Sequence, residues 1–179
     1  MKLLLHTCCA PCSIYCIDEL KKDKINITSF WYNPNIHPYT EYKSRLDTLK
    51  KHCELIQLPL EIVDEYGLRK FTINVINDLE NRCDYCYNER LKATAEYAYN
   101  NGYDTFSTTL LISPYQNHEK IKEIGKKISK EIGIDFLYKD FREGFRKGQN
   151  RARELEIYMQ KYCGCVFSEE DRYLKKRDI

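Results

Sequence analysis

Short apolar runs of strand length alternate with segments of helical period along most of this 179-residue chain, and that alternation narrows the fold more than any other feature. Residues 3–7 form a brief run suited to a buried strand, and residues 13–22 follow with Ile14, Ile17 and Leu20 at helical spacing. A second strand is expected over 27–32, stopped by Asn33, Pro34 and Asn35. Residues 40–53 read as a charged helix with Tyr42, Leu46 and Leu49 on its buried face. A third strand is expected over 55–63, while 64–82 carries no clear period. Helix is expected over 90–100, 118–130 and 151–162, strand over 105–112 and 136–138, and a charged tail after Phe167. Strands alternating with helices predict an α/β protein with a mainly parallel sheet, organised as one domain over 1–179. Ligands on such sheets sit beyond the carboxyl ends of the strands, where Cys8, Cys9 and Pro114 fall.

Composition limits the function. There are 29 basic and 27 acidic side chains, a formal charge of +2, which excludes a grossly basic nucleic-acid coat but allows a local basic face. No apolar run approaches the ~18 residues of a membrane span, and Leu3 to Leu5 is too short for the core of a signal peptide. A soluble, cytoplasmic protein with reduced thiols is expected. In that compartment nine cysteines point to metal binding or redox chemistry rather than to a disulfide framework.

Seven of the nine lie in three tight groups: Cys8, Cys9 and Cys12; Cys83 and Cys86; Cys163 and Cys165. Thiolates suit zinc, copper(I) and iron–sulfur clusters. The first group follows a strand and opens a helix, where backbone N–H groups and the helix dipole stabilise thiolate charge. Two CxxC pairs satisfy one closed zinc site but leave Cys8, Cys163 and Cys165 over, so an iron–sulfur centre fits the surplus better. Zinc and a metal-free dithiol remain open. Cys163 and Cys165, one glycine apart, form a strained and easily reduced pair if oxidised, which suits a redox couple. Two further ligands or two packed thiols are the other readings. Cys16 and Cys53 read as small buried hydrophobes.

Among other residues, His6 lies inside the first strand and reads as a core or supporting histidine. Asp84, inside the CxxC, is a candidate metal ligand or a solvated carboxylate. Asp140 follows the last short strand and is a candidate acid, a metal ligand, or the ion-pair partner of Arg142. His118 caps the next helix or serves the site. Arg82, Arg90, Arg142, Arg146, Lys147, Arg151 and Arg153 give basic character around the second and third cysteine groups, enough to hold phosphates if they are not simply solvated. Tyr85, Tyr87 and Tyr115 can stack on a base.

The blocks LLLHTCCAPCS, CDYCYNERLKATAEYA, FSTTLLISPYQNHEKIKEIG, DFREGFRKG and ELEIYMQKYCGCVFSEEDR, taken in order, resemble the QueH family of epoxyqueuosine reductases over nearly the whole chain. The resemblance implies a Rossmann-like three-layer sandwich of the adenine nucleotide alpha-hydrolase-like group. Cys8, Cys9, Ala10, Pro11 and Cys12 stand where that group carries a glycine-rich phosphate loop, which argues against ATP. The implied reaction reduces the epoxide of epoxyqueuosine, at the wobble position of tRNA, to queuosine without cobalamin. The implied cofactors are a 4Fe-4S cluster and an additional mononuclear iron, with electrons from an external donor. On that basis Cys8, Cys9, Cys12, Cys83 and Cys86, with Asp84, are expected to hold metal. Cys163 and Cys165 are expected to form the redox pair, with Asp140, Tyr115 and His118 as candidate proton donors. Arg82, Arg142, Arg146 and His118 are expected to meet the substrate. A zinc-stabilised RNA-binding module and a cluster-dependent tRNA thiolation enzyme are the competing functions.

Overall fold

A computed structural model describes residues 1–174. The strands are β1 (Lys2–His6), β2 (Asn26–Trp31), β3 (Leu60–Ile62), β4 (Thr105–Thr108) and β5 (Asp135–Phe136). The helices are α1 (Ala10–Lys22), α2 (Tyr39–Leu55), α3 (Leu68–Val75), α4 (Arg82–Asn100), α5 (His118–Ile132), α6 (Phe145–Glu154) and α7 (Val166–Tyr173). All strand pairs are parallel, in the order β3-β2-β1-β4-β5. Helices cover both faces, which is why β1 is a continuous apolar run: Leu3, Leu4 and Leu5 are each fully buried. The chain winds outward from β1 through β2 to β3, then crosses back to place β4 on the other side of β1. The order therefore reverses between β1 and β4, where an open α/β sheet leaves a crevice at the carboxyl ends of its strands.

The architecture matches the sequence expectation, while several boundaries differ for physical reasons. The third strand holds only Leu60–Ile62, because α2 runs on to Leu55 and Gln57 turns the chain at positive φ. The fourth strand leaves the sheet at Thr108, whose hydroxyl accepts from the Leu110 N–H and starts a buried 3-10 turn over Thr109–Ile112. An apolar run hides such a turn because both conformations bury it.

Helix α4 begins eight residues earlier than its alanine-rich part suggested, so Cys83 and Cys86 lie in its first two turns. Helix α6 occupies Phe145–Glu154 rather than 151–162. It ends where Glu156 takes a left-handed conformation and the Ile157 N–H reaches back to the Ala152 carbonyl, a Schellman-type stop built without glycine. The tail expected after Phe167 is helical as far as Tyr173, as part of α7, which starts at Val166; the last five residues of that tail lie outside the described residues.

Helix α5 shows ordinary caps, with Asn117 accepting from the Lys120 N–H and Gly133 left-handed at its end. Its interior Gly125 faces the sheet, where an added Cβ would stand 2.3 Å from the Phe136 ring. That ring is itself packed against Phe106, with centroids 5.0 Å apart. Helix propensity alone predicts that Gly125→Ala stabilises by about 1 kcal/mol. The packing predicts the opposite sign, a loss of about 1–3 kcal/mol in urea unfolding, because the aromatic pair must be pushed apart.

Candidate active site

The first cysteine group sits at the switch point. Beyond His6, the Thr7 N–H still donates to Phe30 of β2 and the Cys8 N–H donates to the Thr109 hydroxyl at the end of β4, so the turn is tied to both neighbouring strands. Cys9 is the N-cap residue of α1 in extended conformation, with Ala10 and Pro11 opening the helix. The Sγ atoms of Cys8, Cys9 and Cys12 all lie within 4.8 Å of one another, and those of Cys8 and Cys9 are 3.8 Å apart. The neighbouring thiols of Cys12 and Cys9 lower the Cys8 pKa well below the usual thiol range. Burial pushes Cys9 up, and the neighbouring Cys8 pushes Cys12 up. Three convergent soft donors can hold a metal ion.

Beneath the triad His6 is fully buried and fully used. Its Nδ1 bonds Thr108 Oγ1 at 2.9 Å, and its Nε2 faces Asn33 Oδ1 at 3.1 Å and the Tyr32 carbonyl at 3.3 Å. It therefore supports the turn as a neutral ring, and burial lowers its pKa to about 4.

The second and third groups meet. Cys86 and Cys165 are buried together with Phe71 and Val75 in a small core of their own, flanked by Tyr85 and Phe167. Cys83 and Cys163 are exposed above it. Burial pushes the thiols of Cys83 and Cys86 up. Cys165 caps α7, its side chain accepting from the Ser168 N–H. All nine cysteines are free thiols. Cys16 and Cys53 are buried in the core, as their spacing suggested.

The remaining candidates are more dispersed. Asp84 lies in the first turn of α4 and pairs with Lys120 at 3.4 Å. Asp140 accepts from Arg142 Nε at 2.9 Å and from its backbone N–H at 3.0 Å. That guanidinium lowers the Asp140 carboxyl to about 2, which opposes its use as a proton donor at neutral pH. Arg142 is correspondingly engaged, and Arg82 pairs with Asp171. Arg146 is exposed on α6. Tyr115 is 85% exposed, edge-on to Phe145. His118 opens α5 with its Nε2 on the Ser113 carbonyl at 3.1 Å and its Nδ1 buried without a hydrogen-bond partner among the described residues.

Sequence reasoning missed Arg45, Gln116 and Gln160. Arg45 is buried in α2, and its visible signal was its place within the stripe of Tyr42, Leu46 and Leu49, four residues after Glu41. Gln116 donates to Cys163 Sγ and Gln160 to Cys12 Sγ, each at 3.4 Å. Nothing in the sequence marks those amides, because the loops that carry them have no period.

A doubly wound parallel sheet with a largely buried thiol triad at its switch point defines a Rossmann-like α/β protein with a site able to hold a metal. A solved structure described as a predicted subunit of tRNA methyltransferase from Methanocaldococcus jannaschii shares that fold. Its TM-score is 0.54 at 11% identity, over the full length of both chains. A family model described as Epoxyqueuosine reductase QueH matches residues 3–171, and the chain belongs to that family. A Dehalococcoides mccartyi protein of that name is 37% identical over 174 residues, 97% of this chain and 96% of its own. One from Thermotoga maritima is 36% identical over 187 residues, 99% and 95% respectively. A longer one from Helicobacter pylori is 34% identical, and the match covers 49% of its length.

His37 links the loop before α2 to the third cysteine group. Its Nε2 donates to the Pro34 carbonyl, its Nδ1 accepts from the Val166 N–H, and burial lowers its pKa to about 4. An unfolded histidine titrates near ~6.5. The unfolded chain therefore binds the extra proton, and the stability that neutral His37 contributes is present above that value and lost as pH falls towards 4. Thermal melts of His37→Gln should show a shallower fall in melting temperature between about pH 6.5 and 4.5 than the wild type.

Proposed function

We propose that this chain reduces the epoxide of epoxyqueuosine in tRNA to the cyclopentene of queuosine. The observation that carries this reading is the convergence of Cys8, Cys9 and Cys12 at the switch point of a chain of the QueH family. The relatives bear the name of that activity. The reaction takes two electrons and two protons and releases the epoxide oxygen as water.

Three sulfurs facing one another, two of them buried and one half-buried, suit a soft metal centre better than a nucleotide. Cys8, Cys9 and Cys12, with Cys83 and Cys86, are the residues proposed to hold a 4Fe-4S cluster and an additional iron, with Asp84 as a carboxylate beside them. Such a centre supplies one-electron transfer and a Lewis acid for the epoxide oxygen.

The chain's own groups account for the rest. Cys163 and Cys165 can pass from dithiol to disulfide, giving up the two electrons and two protons that the reaction consumes, and an external donor restores them. His118 and Tyr115 are the proton donors left once the Arg142 pair keeps Asp140 ionised. Exposed Arg146, Lys147 and Arg151 on α6 suit the phosphates of the single-stranded anticodon loop, and Arg82, Arg142 and His118 are the other proposed substrate contacts. The proposal uses neither ATP nor cobalamin. At the turn after β1, Pro11 lacks an N–H and two thiols crowd the backbone that a phosphate would need to approach.

Anaerobic purification followed by a visible spectrum and an iron, sulfide and zinc count tests the metal. Iron and sulfide with broad thiolate-to-iron absorption, iron in excess, are expected; a colourless protein with stoichiometric zinc after iron and sulfide reconstitution would overturn the mechanism. Single Cys8→Ala, Cys9→Ala and Cys12→Ala variants should lose metal and lower turnover of epoxyqueuosine tRNA by at least about 100-fold, since loss of even an outer-shell partner can cost that much. Full turnover in all three variants would remove the triad from the site.

A further inference from the structure

We propose that Arg45 is a positioning residue for this reaction: it clamps the strap of residues 155–165 onto α2 and thereby sets where Cys163 meets the thiols of α4. The proposal rests on the functional reading above.

The strap joins α6 to α7 with neither helix nor strand of its own. Such a segment owes its position to whatever binds its backbone. Arg45 is 1% exposed, and its planar fork is engaged on three sides. Nη1 donates to the Cys163 carbonyl at 2.8 Å, Nη2 to the Tyr162 carbonyl at 3.0 Å, and Nε to Glu41 Oε1 at 2.6 Å. Two successive carbonyls held by one rigid cation is a geometry that lysine cannot reproduce. The strap answers with its own side chains. The Tyr158 hydroxyl donates to the other oxygen of Glu41, and the Tyr162 hydroxyl donates to the His37 carbonyl. The His37 N–H in turn donates to the Gly164 carbonyl at 2.8 Å, and the Arg45 guanidinium lies 5.6 Å from the centre of the Tyr162 ring.

Burying a guanidinium is costly, and packing alone could anchor a loop with apolar groups. The location explains the choice. The strap touches both thiol groups, through Gln160 on Cys12 and through Cys163, whose sulfur accepts from Gln116. One residue therefore holds in register the third cysteine group and the strap that reaches Cys12 of the first.

The test uses the full chain purified anaerobically, as wild type, Arg45→Lys and Tyr162→Phe. In Arg45→Lys, hydrogen exchange across 155–166 should quicken by about tenfold or more, as expected from losing charge-assisted bonds, while β1 and β2 exchange as before. On epoxyqueuosine tRNA its kcat should fall by about tenfold or more while KM stays within about twofold, because geometry at the reacting centre is lost and tRNA binding is not. Tyr162→Phe should move both readouts in the same direction by less. Unchanged strap exchange, or a rise shared equally by β1, would overturn the proposal, as would a change in KM alone. If Arg45→Lys does not fold, Tyr162→Phe decides: unaltered exchange and kcat refute the clamp. A wild type inactive on this tRNA would sink the functional reading, and the exchange arm would still decide whether the clamp exists.

Discussion

The carboxyl end of β1 is the point on which the site depends. β1 is the central strand, hydrogen-bonded to β2 on one side and β4 on the other. Its last residue, His6, stands opposite Phe30 and Thr108, and its ring bonds outward to both flanks, to Thr108 and to Asn33. Parallel strands leave their final backbone groups to be satisfied by whatever follows. Here Thr7 and Cys8 continue that pairing for two more residues before α1 begins. The three sulfurs inherit their positions from this backbone. Preorganisation of that kind lets buried thiols face one another at their cost in desolvation.

The formal charge of +2 conceals how charge is distributed around the sulfurs. Arg90 is buried on α4, its Nε donating to the Cys86 carbonyl at 3.0 Å, and its charge also reaches His6. Arg45 is buried on α2, its fork on the Cys163 and Tyr162 carbonyls beside the third group. The thiol-rich centre thus has one interior cation on each side of the sheet. Of the basic residues that stand out in the sequence, Arg142 already pairs with Asp140 and Arg82 with Asp171.

Much of the architecture was legible because it rests on period. Leu3 to Leu5 in β1, Ile14, Ile17 and Leu20 on α1, and Ile121 and Ile128 on α5 are buried where spacing placed them. The cysteine groups were visible by composition, and their place at strand and helix ends followed from the alternation. Three things were not legible. The 3-10 turn after β4 and the stop of α6 at Glu156 depend on single backbone conformations that apolar spacing does not encode. The start of α4 was hidden because Cys83 to Cys86 carries no apolar period until the fold supplies Phe71 and Val75 to pack against. The roles of Arg45, Gln116 and Gln160 arise from contacts between segments up to 148 residues apart, which no local pattern can announce.

The two thiol groups differ in how much chain each must gather. The first lies within five consecutive residues and closes as soon as β1 and α1 form and β4 docks alongside. The second joins α4 to the final helix and exists only when the strap is in place. Long-range closure comes late, since its entropy must be offset by contacts already made. During synthesis, then, the amino-terminal triad emerges first and is complete in its own residues long before Cys163 leaves the ribosome. A growing chain presents three sulfurs before it presents seven, so the order in which soft ions could be captured is written into the topology itself.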